Sequence, residues 1–183
     1  MKVFLTWVEN NDNLILAITA ILALFVSGLS IFLTFKTLKT QKKHNKISVR
    51  PIGEVGLGDY ENVLFVSLRN VGLGPLIIKK VSVFDGENSI EKPLIKFMPD
   101  LVDGYAWETF RGDVSKRALA AGSDISLIKL SGEVTNPAFV KNRDNVRKQL
   151  AKLSVIFEYT DMYETESLIE NQNLLWFERN VYP

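Results

Sequence analysis

The sequence predicts one N-terminal membrane-spanning α-helix followed by a mainly β soluble domain, an antiparallel sandwich or barrel with one inserted helix. Three observations carry this reading. Residues 14–35, LILAITAILALFVSGLSIFLTF, form an uncharged apolar run, and one helix needs roughly 20 such residues to cross a bilayer. Beyond Arg50-Pro51 the chain breaks into short β-rich runs separated by glycine-containing turns, the punctuation of an antiparallel sandwich. One stretch, NRDNVRKQLAKL at 142–153, has helical spacing instead.

The expected organisation is an extracytoplasmic N-terminus (1–13), a transmembrane helix (14–35), a basic helical stalk (36–49) and a cytoplasmic β domain (50–183). Before the span, Met1 to Val8 is apolar with Trp7, which suits the headgroup belt. Asp12 or Asn13 is the expected helix cap. After the span, Lys36, Lys39, Lys42, Lys43, Lys46 and Arg50 crowd the C-terminal flank, whereas the N-terminal flank has Lys2 offset by Glu9 and Asp12. Positive residues beside a span favour the cytoplasm. The five lysines are also placed to meet anionic headgroups of the inner leaflet. A cleaved signal peptide is the rival reading. Against it stand the length of the run, the positive charge after it and the lack of a small-x-small site at its end.

The stalk holds no proline or glycine, so the span can continue into it as one helix until Arg50-Pro51 stops it. Strands are then expected at 51–57, 62–69 (NVLFVSLR), 76–84 (LIIKKVSVF), 125–130 (ISLIKL), 153–159 (LSVIFEY), 166–170 and 174–178 (LLWFE). Their turns are Gly72-Leu73-Gly74-Pro75, Asp85-Gly86, Ala121-Gly122-Ser123 and Ser131-Gly132. The helix at 142–153 puts Val146, Leu150 and Leu153 on a narrow apolar stripe and Arg143, Arg147, Lys148 and Lys152 on exposed faces. Residues 93–117 read as an irregular connection with one short strand.

Within the span the small and weakly polar residues recur in steps of three and four. Ala20, Ala23, Ser27, Ser30 and Thr34 form this seam, and Thr37, Gln41 and His44 continue its phase. In lipid, helices associate through small side chains and hydroxyl hydrogen bonds, since little hydrophobic drive remains. A 3.5-residue period implies near-parallel, left-handed packing. Two readings follow: a dry helix–helix contact, or a ring whose seam lines a narrow pore with Ser27, Ser30, Thr34, Thr37 and Gln41. No charged ring lies within the span, so ion selectivity would come from elsewhere.

Enzymatic signals are poor. The chain has no cysteine and one histidine, His44, which excludes a disulfide framework and thiolate metal sites and leaves few nucleophile–base pairs. The lack of cysteine fits a reducing compartment. Net charge is +1 and predicts no partner. Asp59 with Glu61, and Asp161 with Glu164 and Glu166, read as solvated turn carboxylates, and no metal or cofactor is expected. The turn at 72–75 lacks the phosphate-loop lysine and the following helix. Two basic–aromatic groupings remain as candidate ligand sites: Trp107, Phe110, Arg111, Lys116 and Arg117, and Arg143, Arg147 and Lys148 with Lys152. Arginine forks match phosphates and aromatic faces stack bases. The bland alternative is a solvated helix face and ordinary core aromatics.

The single span, the basic stalk, Arg50-Pro51, Asn70-Val71-Gly72-Leu73-Gly74-Pro75, and Ala121-Gly122-Ser123 ahead of ISLIKL together form a recognisable layout. It resembles bacterial single-pass membrane proteins with an immunoglobulin-like cytoplasmic domain. Among these it is similar to transmembrane effectors of anti-phage defence, the Hailong-type effector family. The resemblance covers most of the chain and is architectural. It implies an immunoglobulin-like sandwich and an oligomeric channel that depolarises the inner membrane on infection; the pore reading of the seam makes that homo-oligomer a tetramer or larger. It also implies a nucleotide or oligonucleotide ligand, made by a partner nucleotidyltransferase, that holds the channel closed. No binding residue transfers by motif. The expected function is a gated pore; the alternative is a non-conducting anchored adaptor that recruits a soluble partner.

Overall fold

A computed structural model describes Trp7, residues 11–86, 88–90, 92–164 and 166–180. Apart from Trp7, the apolar N-terminal segment lies outside the described residues. The chain divides into two compact units, 1–47 and 48–183.

The first unit is a single helix, α1 (Asp12–Ser48), 37 residues long, or about 55 Å at 1.5 Å per residue. It is long and apolar enough to cross a membrane, and it runs without a break from the apolar segment through the basic stalk. Asp12 and Asn13 lie inside it rather than capping it; the Asn11 carbonyl accepts from the amides of Leu14 and Ile15, both at 3.0 Å. Four of the helix's hydroxyls donate to carbonyls of the helix itself, which lowers the cost of placing such groups in lipid. Thr19 donates to the carbonyls of Ile15 and Leu16, Ser30 to that of Val26, Thr34 to that of Ser30 and Thr40 to that of Lys36. The helix ends at Ser48, short of Arg50-Pro51, because a residue before proline is disfavoured in the α region.

The second unit is an antiparallel two-sheet sandwich with one inserted helix. One sheet runs β1 (Gly53–Asp59), β2 (Val63–Asn70), β7 (Asp124–Ser131), β5 (Thr109–Phe110). The other runs β4 (Asn88–Ile90), β3 (Leu76–Asp85), β8 (Leu153–Thr160), β9 (Ser167–Asn173), with β6 (Ala118–Leu119) also on β3. Alternating residues fill the space between the sheets: Leu64, Val66 and Leu68 from β2 and Leu153, Val155 and Phe157 from β8 are fully buried. Two bulges interrupt the alternation. At β2–β7 the register shifts after Val66, which leaves Leu127 as an extra residue and buries both Leu127 and Ile128. At β3–β8 the shift after Ile78 lets Lys79 and Lys80 both face out.

Three expectations need correction. Residues 174–178 are not a strand; Leu175–Asn180 is a short 3₁₀ helix. The Asn173 side-chain oxygen accepts from the Leu175 amide at 2.7 Å and turns the chain out of β9. Leu174 and Phe177, three apart, can then both be buried. The inserted helix is α2 (Pro137–Leu150), earlier than 142–153. Asn136 caps it by accepting from the Ala138 amide, and Pro137 occupies its first turn; Leu153 belongs to β8. Finally, the buried face of α2 holds Phe139, Asn142, Val146, Arg147 and Leu150, so Arg147 points inward rather than to solvent. Residues 93–117 contain a short 3₁₀ helix (Leu94–Phe97) and the two-residue strand β5.

Candidate functional sites on the helix and the β domain

On α1, Ala20, Ala23, Ser27, Ser30, Thr34, Thr37 and Gln41 share one arc of about 100° at 3.6 residues per turn, and all seven are exposed. Ser30 and Thr34 spend their protons on backbone carbonyls. Each hydroxyl therefore presents its oxygen lone pairs outward, as an acceptor. The arc offers a narrow strip suited to close helix contact or to weak coordination of a cation. Lys36, Lys39, Lys42 and Lys43 are exposed and Lys46 is partly buried.

In the β domain, α2 organises the irregular connection. Asn142 clamps Val102 in both directions, accepting from its amide at 2.9 Å and donating to its carbonyl at 3.0 Å. The Tyr105 ring lies 5.8 Å from that of Phe139, and the Arg143 guanidinium stands 5.5 Å over the Phe139 ring. Tyr105 then lines an open groove of 670 Å³ together with Ile95, Met98, Trp107 and Phe110. Trp107 is half-buried in its wall and Phe110 is exposed at its mouth.

The expected ligand residues do not converge on one place. Trp107 belongs to the groove, and Arg111 follows β5, its amide bonded to the Leu127 carbonyl. Lys116 and Arg117 flank the other sheet through backbone bonds to Ile78. Arg143 donates to the Glu61 carbonyl at the β1–β2 turn. Lys148 lines a separate hollow with Lys152, Leu175 and Glu178. Arg147 is engaged by Asp59: Nη2 reaches Oδ1 at 2.6 Å and Nε lies 3.0 and 3.1 Å from the two oxygens, while Nη1 meets Asp144 at 2.8 Å. The Arg147 and Asp59 side chains are 7% and 0% exposed. Neither the paired Asp59 nor the inward Arg147 matches its expected place on the surface. Glu164 pairs with Lys79 at 2.7 Å. Among the described residues no group of three His, Asp or Glu side chains is placed to hold a metal ion.

Next to Trp107, the Glu108 carboxylate accepts from Lys129 at 2.6 Å and from the Ser131 hydroxyl. These hydrogen bonds, Lys129 first, hold its carboxyl below the ordinary range. A depressed carboxyl adds stability above its unfolded pKa and loses it as pH falls through the folded value. The group is exposed, so the effect on folding is small. Lys129→Met is expected to move the Glu108 titration back up, read by NMR of its side-chain carbon, with little change in melting temperature. An unmoved titration would mean that the bond is absent in solution.

Sequence reasoning also missed a buried hub where the chain enters the domain. The Asn70 side chain accepts from the amides of Ile52 and Gly72 and donates to the carbonyls of Gly74, Leu119 and Ala120. Gly72 and Gly74 are glycine because the chain at 49–52 presses on them: a Cβ on Gly74 would fall 1.7 Å from the Val49 carbonyl oxygen. The motif at 70–75 thus fastens the segment that follows α1 to the start of the sandwich.

Compared with known protein families, curated proteins and solved structures, the chain matches none. Its class is therefore defined by its own geometry: one apolar N-terminal helix of membrane-crossing length, joined to an antiparallel β-sandwich.

Proposed function

We propose that this protein is a homo-oligomeric effector of the bacterial inner membrane whose α1 helices form a gated ion pore, with the N-terminus outside and the β domain in the cytoplasm. The observation that carries this reading is the small, hydroxyl-bearing seam along one face of an unbroken helix, exposed over its whole length. Copies that pack by this face form the close contacts lipid permits, and a ring of them turns the lone pairs of Ser30 and Thr34, and the hydroxyl of Ser27, toward its axis. The lysines past Phe35 support the orientation. The setting in anti-phage defence, and control by an oligonucleotide from a partner nucleotidyltransferase, rest on the architectural resemblance. The groove at Trp107 is where stacking by such a ligand would be sought. Control requires that the ligand bind one helix arrangement better than the other.

The test is ion flux from vesicles together with subunit counting by native mass spectrometry. Ser27→Leu and Ser30→Leu are expected to reduce flux to that of protein-free vesicles while a ring of four or more copies persists. Unchanged flux in both variants rejects the pore. A monomer, or a non-conducting dimer, favours the anchored adaptor.

A further inference from the structure

The lysines of the stalk occupy one side of α1. At about 100° per residue, Lys36, Lys39, Lys42, Lys43 and Lys46 fall within an arc of about 120°. The centre of that arc lies about 150° from the centre of the seam that runs from Ala20 to Gln41. The seam carries no lysine or arginine over that length. A topology signal alone requires positive charge on the cytoplasmic flank but sets no helix face, so the segregation calls for a further cause.

We propose that the face formed by Lys36, Lys39, Lys42 and Lys43 binds the phosphodiester headgroups of anionic glycerophospholipids. The face begins one residue after the apolar run ends at Phe35. The headgroup layer adds roughly 5–7 Å beyond the hydrocarbon on each side. Lys36 and Lys39 stand within it at a 1.5 Å rise per residue. Lys42 and Lys43 stand about 10 Å past Phe35, within about one Debye length of the layer, and their aliphatic stems reach back along the helix. All four are exposed. When helices pack by the seam, this face turns outward to the surrounding lipid and keeps like charges of neighbouring copies apart. The lipid contact rests only on α1 crossing the bilayer; its outward orientation rests on the seam.

The experiment uses the full chain in phosphatidylcholine vesicles with and without phosphatidylglycerol, with retained lipids counted by native mass spectrometry. Preferential retention of phosphatidylglycerol, weakened by added potassium chloride, is expected. Lys36→Gln/Lys39→Gln/Lys42→Gln/Lys43→Gln is expected to lose it several-fold. So is Lys39→Gln/Lys43→Gln combined with Thr37→Lys/Gln41→Lys, which keeps the net charge but breaks the face. Equal retention of the two lipids, or full retention by the charge-moved variant, overturns the proposal. Loss of oligonucleotide binding in the glutamine variant with lipid retention intact also overturns it, in favour of nucleic acid. The same spectra count subunits, so a monomer that still selects phosphatidylglycerol supports the lipid face while rejecting the ring.

Discussion

Asp59→Ala is expected to destabilise the β domain by about 3 kcal/mol, because removing one member of a buried ion pair leaves an uncompensated charge at a cost of about 3–5 kcal/mol. The lower end applies, since Arg147 keeps Asp144, which is partly exposed. For a domain of this size the loss corresponds to a melting temperature lower by about 10 °C. The fork geometry locks β1 to α2 across 88 residues of sequence, so Arg147→Met is expected to cost a similar amount. Asp59→Leu/Arg147→Met, which removes both charges and leaves apolar volume, is expected to recover most of the loss, as replacements of buried pairs commonly do. Thermal unfolding of the full chain in detergent, followed by near-ultraviolet circular dichroism, gives the cycle. Single variants within about 1 kcal/mol of the parent, the range of exposed pairs, would mean that the pair is solvated.

That pair also marks how far the sequence was legible. Strands rich in alternating β-branched residues, such as 62–69 and 153–159, appear within a residue or two of their expected bounds. The span and stalk merge into one helix as their composition requires. What local pattern failed to reveal depends on contacts between distant segments. Asp59 ends a strand and precedes a turn, which describes a solvated carboxylate until α2 is laid across it. A signal for Arg147 was present: it stands next to Val146 and three residues before Leu150, at the edge of the apolar stripe. The two-residue strands β5 and β6 have no periodicity to detect. Leu174, Trp176 and Phe177 favour a strand by composition, yet the preceding Asn173 decides for a turn. At the candidate site, residue type identified Trp107 as notable, but only the fold separates Arg111 from Lys116 and Arg117 onto different sheets.

Asn70→Ala is expected to cost about 3 kcal/mol as well, by a different route. The residue is buried, and its amide serves two donors and three acceptors at once. Each buried group left without a partner costs about 1–3 kcal/mol, reduced where water enters beside the exposed Leu73 and Val71. Hydrogen exchange separates this loss from global unfolding: the amides of Ile52 and Gly72 are expected to lose protection well before those of β2 and β8. Uniform loss across the domain would contradict a local hub. Asn70→Asp keeps the acceptor but removes the two donor hydrogens and places a carboxylate against the carbonyls of Gly74, Leu119 and Ala120. Burial and those carbonyls favour the neutral acid, so the introduced carboxyl takes a folded pKa above the ordinary value of about 3.9. Folding then binds a proton: the variant is least stable at neutral pH and regains stability as pH falls through the raised value toward the unfolded one. The parent carries no such group at this position, so the difference between the two melting curves across that range isolates the hub. Residues 49–52 are the covalent link from α1 to the sandwich, and Asn70 helps to hold them together with the main-chain bonds of Val71 to Ile52 and of Leu73 to Arg50.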